Sequence, residues 1–99
     1  MSLPVAFRRD AESELAEAVD WYETRGRGLG AGLLRAVDAA LAAIARSPEA
    51  FPVAAGIARR ALLRRYPYSL IYIVETDRIT IVGCFHSRRD PRRMQARQA

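Results

Sequence analysis

Only one side chain in this sequence belongs to a type that titrates near neutrality, His86, and it heads the run His86-Ser87-Arg88-Arg89-Asp90-Pro91. A histidine at a strand end beside arginines could move a proton or donate to a phosphate. With no carboxylate placed to orient it, the ordinary reading is a structural or surface histidine. Cys84 shares strand parity with His86. A thiolate paired with that imidazole is conceivable, but a lone cysteine on an apolar strand reads first as a small core residue. One histidine and one cysteine do not make a metal-ligand set. The sequence calls for no cofactor. Arg59, Arg60, Arg64 and Arg65 flank one strand, and Arg88, Arg89, Arg92 and Arg93 follow another. Brought together, they would contact phosphates or acidic side chains. Spread apart, they form a solvated face. Tyr66, Tyr68 and Tyr72 could stack bases; Tyr72 reads instead as a core residue with its hydroxyl at the edge.

The charge is uneven. From Arg59 to Ala99 there are ten arginines against three carboxylates, a net of +7, whereas residues 1–58 carry six arginines against eight carboxylates, a net of −2. This asymmetry suggests that one end meets an anionic partner. All 16 basic residues are arginine, which excludes a lysine general base. Arginine keeps its charge and offers a planar fork to carboxylate or phosphate. A chain of 99 residues fits one domain, 1–99, with one core. A single cysteine allows no internal disulfide and points to a reducing, cytoplasmic setting. No apolar run reaches the length of a membrane span, and the N-terminus does not read as a signal peptide.

The elements that must position these residues follow from periodicity. Leu3 to Arg8 alternates as an opening strand. Asp10 is expected to cap a helix in which Ala11, Leu15, Ala18 and Tyr22 share a face. Gly26, Gly28 and Gly30 break it, and because they follow a helix they read as a helix–helix turn. A second helix from about Leu29 to Arg46 buries Leu34, Val37, Leu41 and Ile44, with Leu33 and Ala40 widening the stripe. Ser47-Pro48 stops it. The segment 49–58 reads as a loop pinned by Phe51. Strands are expected at 59–65, 68–75 and 79–86, with a tight turn at Glu75 to Arg78. Large core candidates include Trp21, Leu33, Leu34, Leu63, Ile71 and Ile81. The result is an α+β domain: an N-terminal strand, an antiparallel helical hairpin, then a three-stranded antiparallel sheet. Residues 92–99 read as a frayed helix or flexible tail.

These pieces, in this order, resemble the RelE/ParE superfamily of bacterial toxins. The matching segments are Asp10-Ala11-x-x-x-Leu15, Trp21-Tyr22, Ser47-Pro48, Phe51-Pro52, Arg60-x-Leu62-Leu63, Pro67-Tyr68-x-Leu70-Ile71-Tyr72 and His86-x-x-Arg89-Asp90-Pro91. The resemblance implies a toxin of a type II toxin–antitoxin module, a plasmid-stabilisation type of protein, held in a hetero-oligomer by a cognate antitoxin. RelE-like members cut mRNA on the ribosome; ParE-like members bind DNA gyrase and are not themselves enzymes. Fold alone does not choose. RelE-like members usually carry an arginine just after the Pro-Tyr pair, where this chain has Ser69, and a tyrosine or histidine close to the C-terminus, which is missing here. The ParE-like branch is therefore favoured, with target contacts expected at His86, Arg88 and Arg89, and antitoxin contacts at Trp21, Leu34, Arg60 and Arg64. On the RelE-like alternative, His86, Arg64, Arg88 and Arg89 would carry the cleavage. A third alternative is an inactive member that only binds its antitoxin.

Overall fold

A computed structural model describes residues 3–88. Seven elements follow in order: β1 (Val5–Phe7), α1 (Arg9–Arg25), α2 (Leu29–Arg46), β2 (Val53–Ala55), β3 (Ala58–Leu62), β4 (Tyr68–Val74) and β5 (Ile79–His86). Arg89 and the segment 92–99 lie outside the described residues.

The helices form where the apolar spacing requires. On α2, Leu33, Val37 and Ile44 are buried at intervals of four and seven, so one stripe faces the sheet. Leu34 lies one position off that stripe and is exposed, which corrects its place in the expected core. Trp21 is also 49% exposed rather than buried. Asp10 does not cap α1. Arg8 holds that position, and Asp10 sits in the first turn, where its Oδ1 accepts the Ala11 N–H at 2.9 Å.

The hairpin between the helices is fastened by a carboxylate. Gly28 takes φ 85°, a left-handed conformation that glycine adopts without penalty. The Gly28 and Gly30 N–H groups donate to the two oxygens of Glu23 at 3.1 and 3.0 Å. A negative group thus meets the unpaired donors at the N-terminus of α2.

The sheet has five strands in the order β1-β5-β4-β3-β2. It is mixed, and this corrects the expected three-stranded antiparallel sheet. β1 joins the same sheet parallel to β5, with Val5 opposite Ile79 and Phe7 opposite Ile81. The expected loop at 49–58 contains β2, antiparallel to β3. β3 itself ends at Leu62, not Arg65. β4 is central and buried on both faces, as its aromatic and β-branched content suits.

Leu70, Tyr72, Ile79 and Ile81 pack with Leu33, Val37 and Ile44 under the helices. Ala58, Ile71, Val82 and Phe85 form a second cluster on the other face. Tyr72 anchors the loop after α2: its hydroxyl donates to the Pro48 carbonyl at 2.6 Å, and Phe51 meets its ring edge-on. Arg59 donates to the carbonyls of Glu49 and Phe51, holding the same loop. Among the described residues, no helix is long and apolar enough to cross a membrane.

Candidate binding groove and arginine rim

A β-bulge sets up the site. Ile71 pairs with Gly83, but the next residue, Tyr72, pairs with Ile81, so Val82 is an extra residue on β5. Side chains alternate along a strand, and one inserted residue reverses their facing beyond it. Ile79 and Ile81 point under the helices. With simple alternation Cys84 and His86 would point away. The bulge returns them to the helix side, opposite Leu70 and Tyr68.

There they enter an open groove of about 1000 Å³ between α1 and the end of β4 and β5. Glu14, Glu17 and Trp21 project from α1 at spacings of three and four, which is one helix face. Tyr22, Tyr68 and Cys84 lie deeper, and His86 and Arg88 close the β5 end. The aromatic rings form a chain. Trp21 meets Tyr22 edge-on at 5.0 Å, Tyr22 meets Tyr66 at 5.0 Å and Tyr68 at 6.2 Å, and Tyr68 meets His86 at 5.2 Å. The Arg25 guanidinium lies 4.3 Å from the centre of the Trp21 ring, a cation–π contact.

Two polar contacts define the chemistry available. The Cys84 N–H donates to Glu14 Oε1 at 3.1 Å, so the helix carboxylate ties down β5 beyond the point where β1 stops. The Arg88 N–H donates to His86 Nδ1 at 3.2 Å. In a neutral imidazole this places the proton on Nε2 and occupies the remaining lone pair.

Cys84 is 2% exposed, and burial, with the nearby Glu14 charge, pushes its thiol up to about 12. It is a core residue, as expected, and not a nucleophile. Burial also raises the Tyr72 hydroxyl, against an opposing effect of Arg59. Burial, with a smaller contribution from Tyr66, raises that of Tyr22. A thiol held neutral by the fold has a signed consequence. Its contribution to stability is intact below the unfolded value near 9.0 and is lost as pH rises toward about 12. The slope cannot exceed ~1.4 kcal/mol per pH unit. Unfolding in urea at stepped alkaline pH should show this decline, and Cys84→Ala should flatten part of it. Equal slopes in the two proteins would contradict the buried neutral thiol. At neutral pH the folded protein should resist alkylation by iodoacetamide.

The structure brings together only some of the residues singled out in the sequence. Trp21, His86 and Arg88 line one groove. Leu34 is exposed on α2. Arg60 pairs across from Ile71 and lies on the face away from the helices. Arg64 is exposed on the loop between β3 and β4. Arg89 falls outside the described residues. The sequence reading passed over Glu14 and Glu17 as groove residues, although their spacing from Trp21 was a usable signal. It also found no carboxylate to set near His86; α1 supplies two to the same groove, from some 70 residues earlier in the chain.

Arg64 and Arg65 are exposed on the loop between β3 and β4, three and two residues before Pro67, which lines the groove. The Ser87 N–H donates to the Pro67 carbonyl at 2.7 Å, tying their loop to the end of β5 that bears Arg88. Arg65 has φ 69°, left-handed for a residue with a long side chain. Such a conformation costs on the order of 1–3 kcal/mol and is often found at functional positions.

Comparison with known proteins adds the family. The profile described as "ParE toxin of type II toxin-antitoxin system, parDE" matches residues 5–91. A solved chain from the chromosomal ParDE TA system of P. aeruginosa superposes with a TM-score of 0.62 at 19% identity, covering 86% of this chain and 96% of that one. At that identity the likeness establishes the fold. No curated protein sequence matches.

Proposed function

This chain belongs to the ParE toxin family of type II toxin–antitoxin systems, and from that premise we propose that it inhibits DNA gyrase by protein–protein binding and is neutralised by a cognate antitoxin. The observation that carries the choice of a binder over a nuclease is the state of His86. Its Nδ1 lone pair accepts the Arg88 N–H. With Nδ1 engaged, the ring could take a proton from a ribose hydroxyl only by giving up this contact. The groove around it agrees. Arg64, needed on the nuclease reading, is not among its lining residues. Its aromatic lining suits the side chains of a protein partner.

Target contact is assigned to His86, Arg88 and Arg89. The antitoxin is assigned to the exposed Trp21 and Leu34, with Arg60 and Arg64 as further contacts. The test is a gyrase supercoiling assay run beside ribosome-programmed mRNA cleavage on one protein preparation. The expected result is inhibited supercoiling with intact mRNA. His86→Ala should stay within about tenfold of wild-type inhibition, which corresponds to ~1.4 kcal/mol. Cleaved mRNA that His86→Ala abolishes, with unaffected gyrase, would reverse the assignment to the RelE-like alternative.

A further inference from the structure

We propose that the rim formed by Arg64, Arg65 and Arg88 binds the phosphate backbone of double-stranded DNA, so that the toxin grips nucleic acid as well as protein. The proposal builds on the gyrase reading, since gyrase works on DNA, but its physical basis is separate. All three side chains belong to exposed residues. The Ser87–Pro67 hydrogen bond holds the loop bearing Arg64 and Arg65 against the strand end bearing Arg88. Among the described residues the ion pairs are Arg8–Asp10 and Arg78–Asp77, so none of the three rim arginines is neutralised there. No carboxylate occurs in residues 50–74 or 79–88, the segments that build this end of the sheet; Glu14 and Glu17, from α1, share the groove with Arg88 but not the loop of Arg64 and Arg65. The left-handed backbone at Arg65 falls in the loop between β3 and β4.

Duplex is favoured over single-stranded nucleic acid by the state of the aromatic rings. An unpaired base needs a free ring to stack on. Tyr66 is packed edge-on against Tyr22, Tyr68 is packed between Tyr22 and His86, and Trp21 already carries the Arg25 guanidinium. The rim therefore offers charge without a stacking platform. Contacts of this kind position a protein on a phosphate backbone and carry no sequence information.

The test is fluorescence anisotropy of the full chain, without gyrase, on a labelled duplex of about 20 base pairs across a salt series. Three phosphate contacts predict a slope of log K on log salt of about −2.7, which is a roughly 40-fold loss of affinity between about 50 and 200 mM salt. Each of Arg64→Ala, Arg65→Ala and Arg88→Ala should reduce the slope by about 1, and the triple variant should lose most of it while melting as a folded protein. An unchanged slope in the triple variant would place the contact elsewhere and overturn the proposal. So would tighter binding to a single strand of the same length. Tighter binding to polyglutamate of equal charge would instead mark the rim as a surface for acidic polypeptide. Because gyrase is absent, failure here leaves the supercoiling result untouched, and a negative supercoiling result leaves this one standing.

Discussion

Tyr72→Ala is expected to lower the unfolding free energy by about 4 kcal/mol. Domains of this size have ~5–15 kcal/mol in total, so the variant should melt roughly 20 °C lower or fail to fold. The reason is the number of elements that meet at this one ring. Tyr72 is fully buried in the central strand, between the α2 stripe and the loop that follows it. Phe51 lies against its edge and the Pro48 carbonyl accepts its hydroxyl. Truncation leaves a cavity under α2 and releases the loop together. Tyr72→Phe separates the two effects. It keeps the ring and loses one hydrogen bond, for a cost of ~1 kcal/mol. Thermal melts of the two variants check this; similar losses for both would mean that the hydrogen bond, not the packing, holds the loop.

Trp21→Ala is expected to weaken antitoxin binding by ~2–4 kcal/mol, about 30- to 1000-fold, on the proposal that the antitoxin docks on the helical hairpin. A half-exposed tryptophan at the mouth of a groove is the kind of anchor that dominates an interface. Its loss should leave the melting temperature nearly unchanged, because little of the ring is in the core. Arg60→Ala makes the comparison informative, since Arg60 lies on the opposite face of the sheet. Titration calorimetry with the cognate antitoxin decides between them. Arg60→Ala, at a further contact, should cost less than Trp21→Ala; wild-type affinity for Trp21→Ala with a large loss for Arg60→Ala would move the main antitoxin contact from the hairpin to the far face.

The two helices were legible from spacing because each buries one stripe against a sheet, and the 3.6-residue period records that directly. The hairpin of β4 and β5 was legible for a similar reason: its turn is local, closed by the Glu75 N–H donating to the Arg78 carbonyl. What escaped was set by partners distant in sequence. β2 is Val53-Ala54-Ala55 between Pro52 and Gly56, a stretch with little strand character, and it is a strand only because β3 pairs with it. The parallel pairing of β1 with β5 joins residues more than 70 apart and leaves no pattern in either segment. Leu34 was misplaced by one position on its helix, since Leu33 and Leu34 are indistinguishable by type. The groove escaped for a different reason. Glu14, Glu17 and Trp21 were readable as one face of α1, but nothing local announces the bulge at Val82 that turns His86 toward them.

The β1–β5 pairing also has a consequence in time. Val5 is made 74 residues before its partner Ile79. At synthesis rates of about 5–20 residues per second, the opening strand waits roughly 4–15 s for the segment it must join. Until then the helical hairpin has formed its own short-range contacts but has no finished sheet beneath it. Long-range pairing of this kind also slows folding after release. The sheet on which the helices pack is therefore complete only after β5 has been made. On the proposed reading, an antitoxin present during translation would meet the helical hairpin before the sheet beneath it is finished.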